Sequence, residues 1–314
     1  MLIIFNNYLI LAVTDWHGEV AALVAACLWS VASVIYGVLG QRIRPMQLNL
    51  IKGIIAIALL LLTILISGDF VPKLSFMPVC LLFLSGAVGI GWGDTAFLAA
   101  INYLGARQVL LLGTLSPPMT AIAATIFLQE RLNVSAWCGI LLTILGVAWV
   151  VTERVPGTSE VDSTHLWQGI GFGLLAAITN TAGSLFSRAA FATASIDSLW
   201  AALLRLIAGV LTILLWLVIS PRQQRTISDP YWKSRRIILA SFFAAFCGTY
   251  LGIWLQQTAI KFTSVGIAST LLQTSPLFVI PIAIAMGEKV SLRAIAGVGI
   301  AIAGIGLLFY FKYL

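Results

Sequence analysis

Residues 116–132 read SPPMTAIAATIFLQERL, and residues 275–290 read SPLFVIPIAIAMGEKV. Both are apolar stretches that open on Ser-Pro and close on an acid beside a base. A shift of 159 carries Ser116-Pro117 onto Ser275-Pro276, and 158 carries Glu130-Arg131 onto Glu288-Lys289. The correspondence extends outward from there. The same shifts carry Gly93 onto Gly252, Ala100 onto Ala259, Gly139 onto Gly297 and Gly146 onto Gly304. A shift of 153 carries Lys52 onto Arg205, and 151 carries Leu23, Ala25, Ala26 and Ser33 onto Leu174, Ala176, Ala177 and Ser184. The offset drifts only as loop lengths change, so the chain is one unit written twice.

Composition identifies the solvent. Of 314 residues, 60% are hydrophobic and 9% charged, against about 25% charged in soluble domains. A water-facing surface cannot be built from so few charges, so lipid must replace water. Ten apolar runs are long enough to span a bilayer: 18–40, 46–67, 75–100, 106–128, 134–152, 168–190, 197–219, 236–260, 264–286 and 292–312. The expected fold is an all-α membrane protein of ten transmembrane helices. Residues 1–16 form an N-terminal arm, 17–152 the first repeat, 153–167 a linker and 168–314 the second repeat. The arm has no basic start and no clear small-residue cleavage site, so it is read as a short interfacial or disordered arm and not as a signal peptide. Five spans per unit is odd, so the second unit enters the membrane upside down. Inverted repeats let a central site open to either side by rocking one bundle against another.

Several function classes drop out. The net charge of +7 sits mostly in or beside the gaps between runs. That placement suits lipid headgroups and not nucleic acid. Cys27, Cys80, Cys138 and Cys247 are isolated, with no CxxC spacing, so no metal site or disulfide framework is expected. There is no P-loop, GxSxG or HExxH, and neither histidine lies deep in a run. The chain is therefore expected not to be an enzyme, to need no cofactor and to be free of direct ATP drive.

At this point the residues resemble a known family. Gly93-Asp94-Thr95-Ala96-Phe97, Ala100, Ser116-Pro117, Glu130-Arg131-Leu132 and a Gly-rich fifth run, with the closing pattern repeated, resemble the EamA family of the drug/metabolite transporter superfamily over about residues 18–312. The resemblance implies a secondary transporter of amino acids, amines or related metabolites, often an exporter, with cytoplasmic termini. Four-helix relatives carry a membrane-embedded glutamate in the first helix. The matching positions here hold Trp29 and Asn180, which argues against that route of proton-coupled drug export.

Only Lys52, Asp94 and Arg205 lie well inside a run. Each costs roughly 2.5–3.5 kcal/mol at the bilayer centre and needs a partner or a wet cavity. Lys52 lies about 9 Å inside its helix and Asp94 about 9 Å from the end of the next. The two helices are antiparallel, so these residues share a depth and are expected to form an intramembrane ion pair. Arg205, about 12 Å deep, has no embedded acid in its own repeat. It is expected either to meet an anionic group of the substrate or to bond the backbone.

Helical spacing places Trp29, Ser33 and Tyr36 on one face, Asn180 and Ser184 on its mate, and Tyr250, Trp254 and Gln257 on a third. With Arg205 and Gln273, these are the expected substrate-binding residues. Pro117, Pro118, Pro276 and Pro281 lie within runs and are expected to kink them near the cavity, either as gating elements or as static packing kinks. Glu130 is read as a boundary pair with its neighbour Arg131.

The functional expectation is alternating-access transport of a small amphipathic or anionic metabolite across a cell (plasma or inner) membrane, by a monomer or homodimer. A sensor or assembly factor on a transporter fold is the alternative. Loop cations concentrate on the side away from the termini, which by the positive-inside rule places the termini outside. The resemblance implies the reverse.

Overall fold

The computed structural model describes residues 16–68, 75–151, 163–219, 234–278 and 292–310. Pro281 and Glu288 lie outside these residues, as do the arm up to residue 15 and residues 153–162 of the linker.

Every described element is helical. In chain order they are α1 (His17–Gly40), α2 (Pro45–Ser67), α3 (Phe76–Leu104), α4 (Ala106–Gly113), α5 (Ser116–Phe127), α6 (Val134–Val151), α7 (Ser163–Thr193), α8 (Ser198–Ile219), α9 (Arg235–Phe262), α10 (Val265–Leu272) and α11 (Leu292–Tyr310). Among the described residues, α1, α2, α3, α7, α8 and α9 are long and apolar enough to cross a membrane, and α6 and α11 hold shorter apolar helices. Their outward faces carry exposed Leu65, Ile66, Leu215 and Val218, which only lipid or a partner tolerates. The α7 helix starts at Ser163, inside the expected linker.

The fourth run is not one helix with a kink. It breaks at Thr114-Leu115, and Ser116, Pro117 and Pro118 form the first turn of α5. A proline there loses nothing, because first-turn N–H groups have no partner within the helix. The ninth run breaks in the same way. The chain turns at Gln273-Thr274 and becomes helical again at Ser275-Pro276. A shift of 159 carries one break onto the other, so Pro117, Pro118 and Pro276 start helices and do not bend them.

The third run of each repeat holds a second duplicated irregularity. Within α3, Ala87–Asp94 is π-helical, and within α9, Ala245–Leu251 is. The wider i→i+5 turn upsets the carbonyl ladder, and side chains from other helices take up the slack. Asn49 Nδ2 donates to Ile90 O at 2.9 Å. Trp29 Nε1 donates to Gly248 O at 2.7 Å, and the Tyr36 hydroxyl donates to Ala244 O at 2.9 Å.

Contacts at the helix ends give the repeats opposite senses. One end of the molecule gathers the start of α1 with the end of α9, where Thr263 Oγ1 donates to Glu19 Oε1 at 2.8 Å. The end of α7 joins them through Arg188, bonded to Ile260 O and Lys261 O. The other end gathers Leu39, Ile43, Leu98 and Ile237, with Gly169 of α7 against Leu104. Thus α1 runs away from the first end while its mate α7 runs toward it. Helices α6 and α11 pack antiparallel at glycines. A Cβ on Gly146 would strike the backbone of Ala301 and Gly297, so the helices touch main chain to main chain.

Candidate functional site

The α3–α8 crossing sets the site. Gly86 lies against the backbone of Arg205 with no room for a Cβ. Gly89 leaves space for the guanidinium, since a Cβ there would stand 3.4 Å from Arg205 Nη2. Arg205 is 3% exposed. Its Nη1 donates to Gln256 Oε1 at 3.1 Å, and its Nε has no partner among the described residues.

On the facing wall Lys52 Nζ donates to Asp94 Oδ2, the ion pair that matched depth leads one to expect. The ammonium also stands 5.6 Å from the centre of the Tyr36 ring. Between these groups is a cavity of about 150 Å3. Both repeats contribute. Trp29, Tyr36, Lys52, Asp94, Phe97 and Gly113 come from the first, and Asn180, Arg205, Ile253, Gln256 and Gln273 from the second. Ser33 also lines it.

Some polar tips in this lining are already engaged. The indole N–H of Trp29 and the hydroxyl of Tyr36 serve the π segment of α9, which leaves their rings to the cavity. Gln273 Nε2 donates to Gly113 O at 2.5 Å, tying the break of one repeat to that of the other. Its oxygen remains as an acceptor.

Three expected residues lie elsewhere. Tyr250 and Trp254 face α2, where the Tyr250 hydroxyl meets Thr63 Oγ1 at 2.7 Å and the rings pack among Ala56, Leu60 and Leu203. Gln257 is fully buried off the cavity, with neither amide atom hydrogen-bonded among the described residues. The residue that does line it is Gln256, which the sequence reading passed over. Ser184 lines a second, small pocket with Trp29, Ser116, Asn180, Gln256, Ser269 and Gln273.

The cavity is also lopsided. On α1 it takes residues 29–36, the half farther from the first end, and on α7 residues 173–180, again the farther half. The complementary halves pack shut. Ala22, Ala25 and Ala26 are buried, Ser85 bonds Gly183 O and Ser187, and Thr181 meets Ser116 and Thr120. Glu130 does not pair with Arg131. It takes Arg188 Nε on one oxygen and the Val265 N–H on the other at 3.1 Å.

The EamA-like transporter family model matches residues 16–152 and 167–310, one copy per repeat. The chain belongs to the EamA-like transporter family. It is a multi-pass membrane protein of a transporter family. Among curated proteins it is similar to the "Magnesium transporter NIPA3" of Homo sapiens and of Pongo abelii, 38% identical over 80 residues, 26% of this chain. That match spans 19% of each relative's length. One solved crystal structure superposes on 92% of this EamA-like chain and 95% of its own, with a TM-score of 0.72 at 16% identity. At that identity the likeness speaks to the fold.

Proposed function

We propose that this protein is a secondary transporter, an exporter of small amphipathic metabolites bearing a carboxylate, amino acids or their relatives. It works by alternating access from a single site between two inverted five-span repeats of the plasma or inner membrane. The observation that carries the reading is the cavity itself: it is built from both repeats and holds the three embedded charges and a ring of aromatic and amide side chains. Transporters of this architecture hold their substrate at the repeat interface near mid-bilayer.

The lopsided lining gives the second state. If the repeats exchange conformations, residues 22–29 of α1 and 180–187 of α7 become the lining, and the cavity opens toward the first end. Ser184 and Asn180 already border the small pocket on that route. Trp29 and Asn180 belong to both linings, so they hold substrate throughout the cycle.

Magnesium, named for the NIPA3 relatives, is disfavoured as cargo. Asp94 is the sole carboxylate among the described lining residues and is engaged by Lys52, whereas Mg2+ takes a near-octahedral set of oxygens.

The test is the purified chain in liposomes loaded with amino acids, amines or organic anions, followed by efflux and counterflow. Substrate-dependent counterflow that Arg205→Ala abolishes is expected. Flux and binding unchanged in Arg205→Ala would sink the assigned site. No flux of any solute, with substrate-like ligands still binding, favours the sensor reading.

A further inference from the structure

We infer that the solute is a monoanion, an organic carboxylate with an apolar body and no ammonium group. The inference rests on the proposed transport site and narrows its carboxylate class to relatives of amino acids that lack the ammonium group, setting amino acids themselves aside. It follows from the charges and donors on the cavity wall.

Among the described residues lining the cavity, three are charged: Lys52, Asp94 and Arg205. Lys52 and Asp94 neutralise each other. Arg205 has no acid bonded to it. Its described protein bond is to a neutral amide through Nη1, and among the described residues its buried Nε has no hydrogen-bond partner. A buried guanidinium with an unused N–H is a strong demand for an anion, because its fork matches a carboxylate in geometry and charge. The wall therefore carries one net positive charge, which one anionic group cancels.

An ammonium finds no uncompensated partner. Among the described lining residues the sole carboxylate is Asp94, one oxygen of which already takes Lys52 Nζ, so an ammonium there shares its negative charge with Lys52. Bringing a zwitterion in would leave the positive charge of the wall uncancelled. Beside the charges and neutral polar groups such as Ser33, Asn180, Gln256 and Gln273, the lining offers an apolar surface from Phe97, Leu98, Val109, Leu110 and Ile253, with the ring of Trp29. A cavity of about 150 Å3 encloses a group the size of a benzene ring. The fit is a carboxylate on Arg205 and Gln256 with a six- to ten-atom hydrocarbon or aromatic body toward the open end.

Matched pairs of solutes isolate the ammonium. Phenylpyruvate and phenylalanine, and 4-methyl-2-oxopentanoate and leucine, share carbon skeletons and differ in a keto group against an ammonium. Phenethylamine supplies the ammonium alone. Binding to the full-length protein in detergent and counterflow in liposomes are measured for all five. The oxo acids should bind and exchange at least about tenfold better than their amino acids, the difference one charge-assisted hydrogen bond supplies, and phenethylamine should do neither.

Two variants probe the charge count from opposite directions. Lys52→Met frees Asp94 and brings the wall to zero net charge, so preference should move toward phenylalanine and leucine. Lys52→Met/Asp94→Leu removes both members of the pair, keeps the single positive charge and should keep the oxo-acid preference. Arg205→Gln should abolish it, and Gln256→Met should weaken oxo-acid binding if Arg205→Gln fails to fold. Better transport of phenylalanine and leucine by the unaltered protein overturns the inference while leaving the transporter reading intact. Oxo-acid binding indifferent to all four variants also overturns it. Failure of all five solutes to bind or move overturns both.

Discussion

Glu130 and Arg188 lie 58 positions apart in sequence and close the end of the molecule away from the cavity's open side, so their coupling should be measurable. The Glu130 carboxylate holds Arg188 Nε and the Val265 N–H, and Arg188 Nη1 holds Ile260 O at 3.0 Å and Lys261 O at 3.2 Å. The two side chains are 13% and 27% exposed, enough for water to screen them in part. A hydrogen bond to a charged group contributes about 1.5–3 kcal/mol, and the partial exposure places this one near the lower figure. Glu130→Gln keeps an oxygen for Val265 but loses the charge, and Arg188→Met loses the guanidinium and both carbonyl contacts. Each should cost about 1.5–2 kcal/mol, and the double variant about 1 kcal/mol less than their sum. Thermal unfolding of the four proteins in one detergent, followed by tryptophan fluorescence, reads the cycle as apparent Tm values, each single variant lower by several degrees. The contact also holds the first end shut, so Glu130→Gln on a Ser184→Cys background should raise the rate of thiol labelling from that side. Additivity of the two substitutions within about 0.5 kcal/mol, with labelling unchanged, refutes both the pairing and its role as a latch.

Gly86→Ala places a methyl on the Arg205 backbone. It should cost about 1–3 kcal/mol by overpacking and weaken solute binding as α8 shifts, which unfolding and binding assays on one preparation would show together. Asn49→Leu strips the partner from Ile90 O in the π segment of α3. The orphaned carbonyl should cost about 1–3 kcal/mol, against well under 1 kcal/mol for an exposed lipid-facing change such as Leu65→Ile. Pro117→Ala, in a first turn whose N–H is free in any case, should lower the Tm little. Gln273→Leu frees Gly113 O at the break and should lower it by several degrees and depress counterflow.

Duplication and depth were legible from residues alone, and phase was not. Lys52 and Asp94 could be paired because two antiparallel helices of known length fix depth to within a turn, and their charges leave few alternatives. The helical stripe Tyr250, Trp254, Gln257 has the correct spacing and the wrong face. Its neighbour one residue earlier, Thr249, Ile253, Gln256, lines the cavity. Both stripes carry polar groups, so amphipathic spacing could not choose between them, and the aromatic signal at Tyr250 and Trp254 reports packing on α2. The breaks at Thr114-Leu115 and Gln273-Thr274 were equally hidden, since Pro117 reads the same whether it bends a helix or begins one. Yet the repeat contained the answer to the phase. Adding 159 to Ile90, Asp94 and Phe97, all on the cavity wall, gives Thr249, Ile253 and Gln256, also on the wall. Once one embedded charge anchors a face in one repeat, the inverted copy inherits that face, because both copies must present it to the same central space. Arg205 follows the same rule as the mate of Lys52. The repeat that places a cation on each wall supplies an acid at Asp94 and an apolar Ile253 at its mate, so the shared space is left positive by one charge.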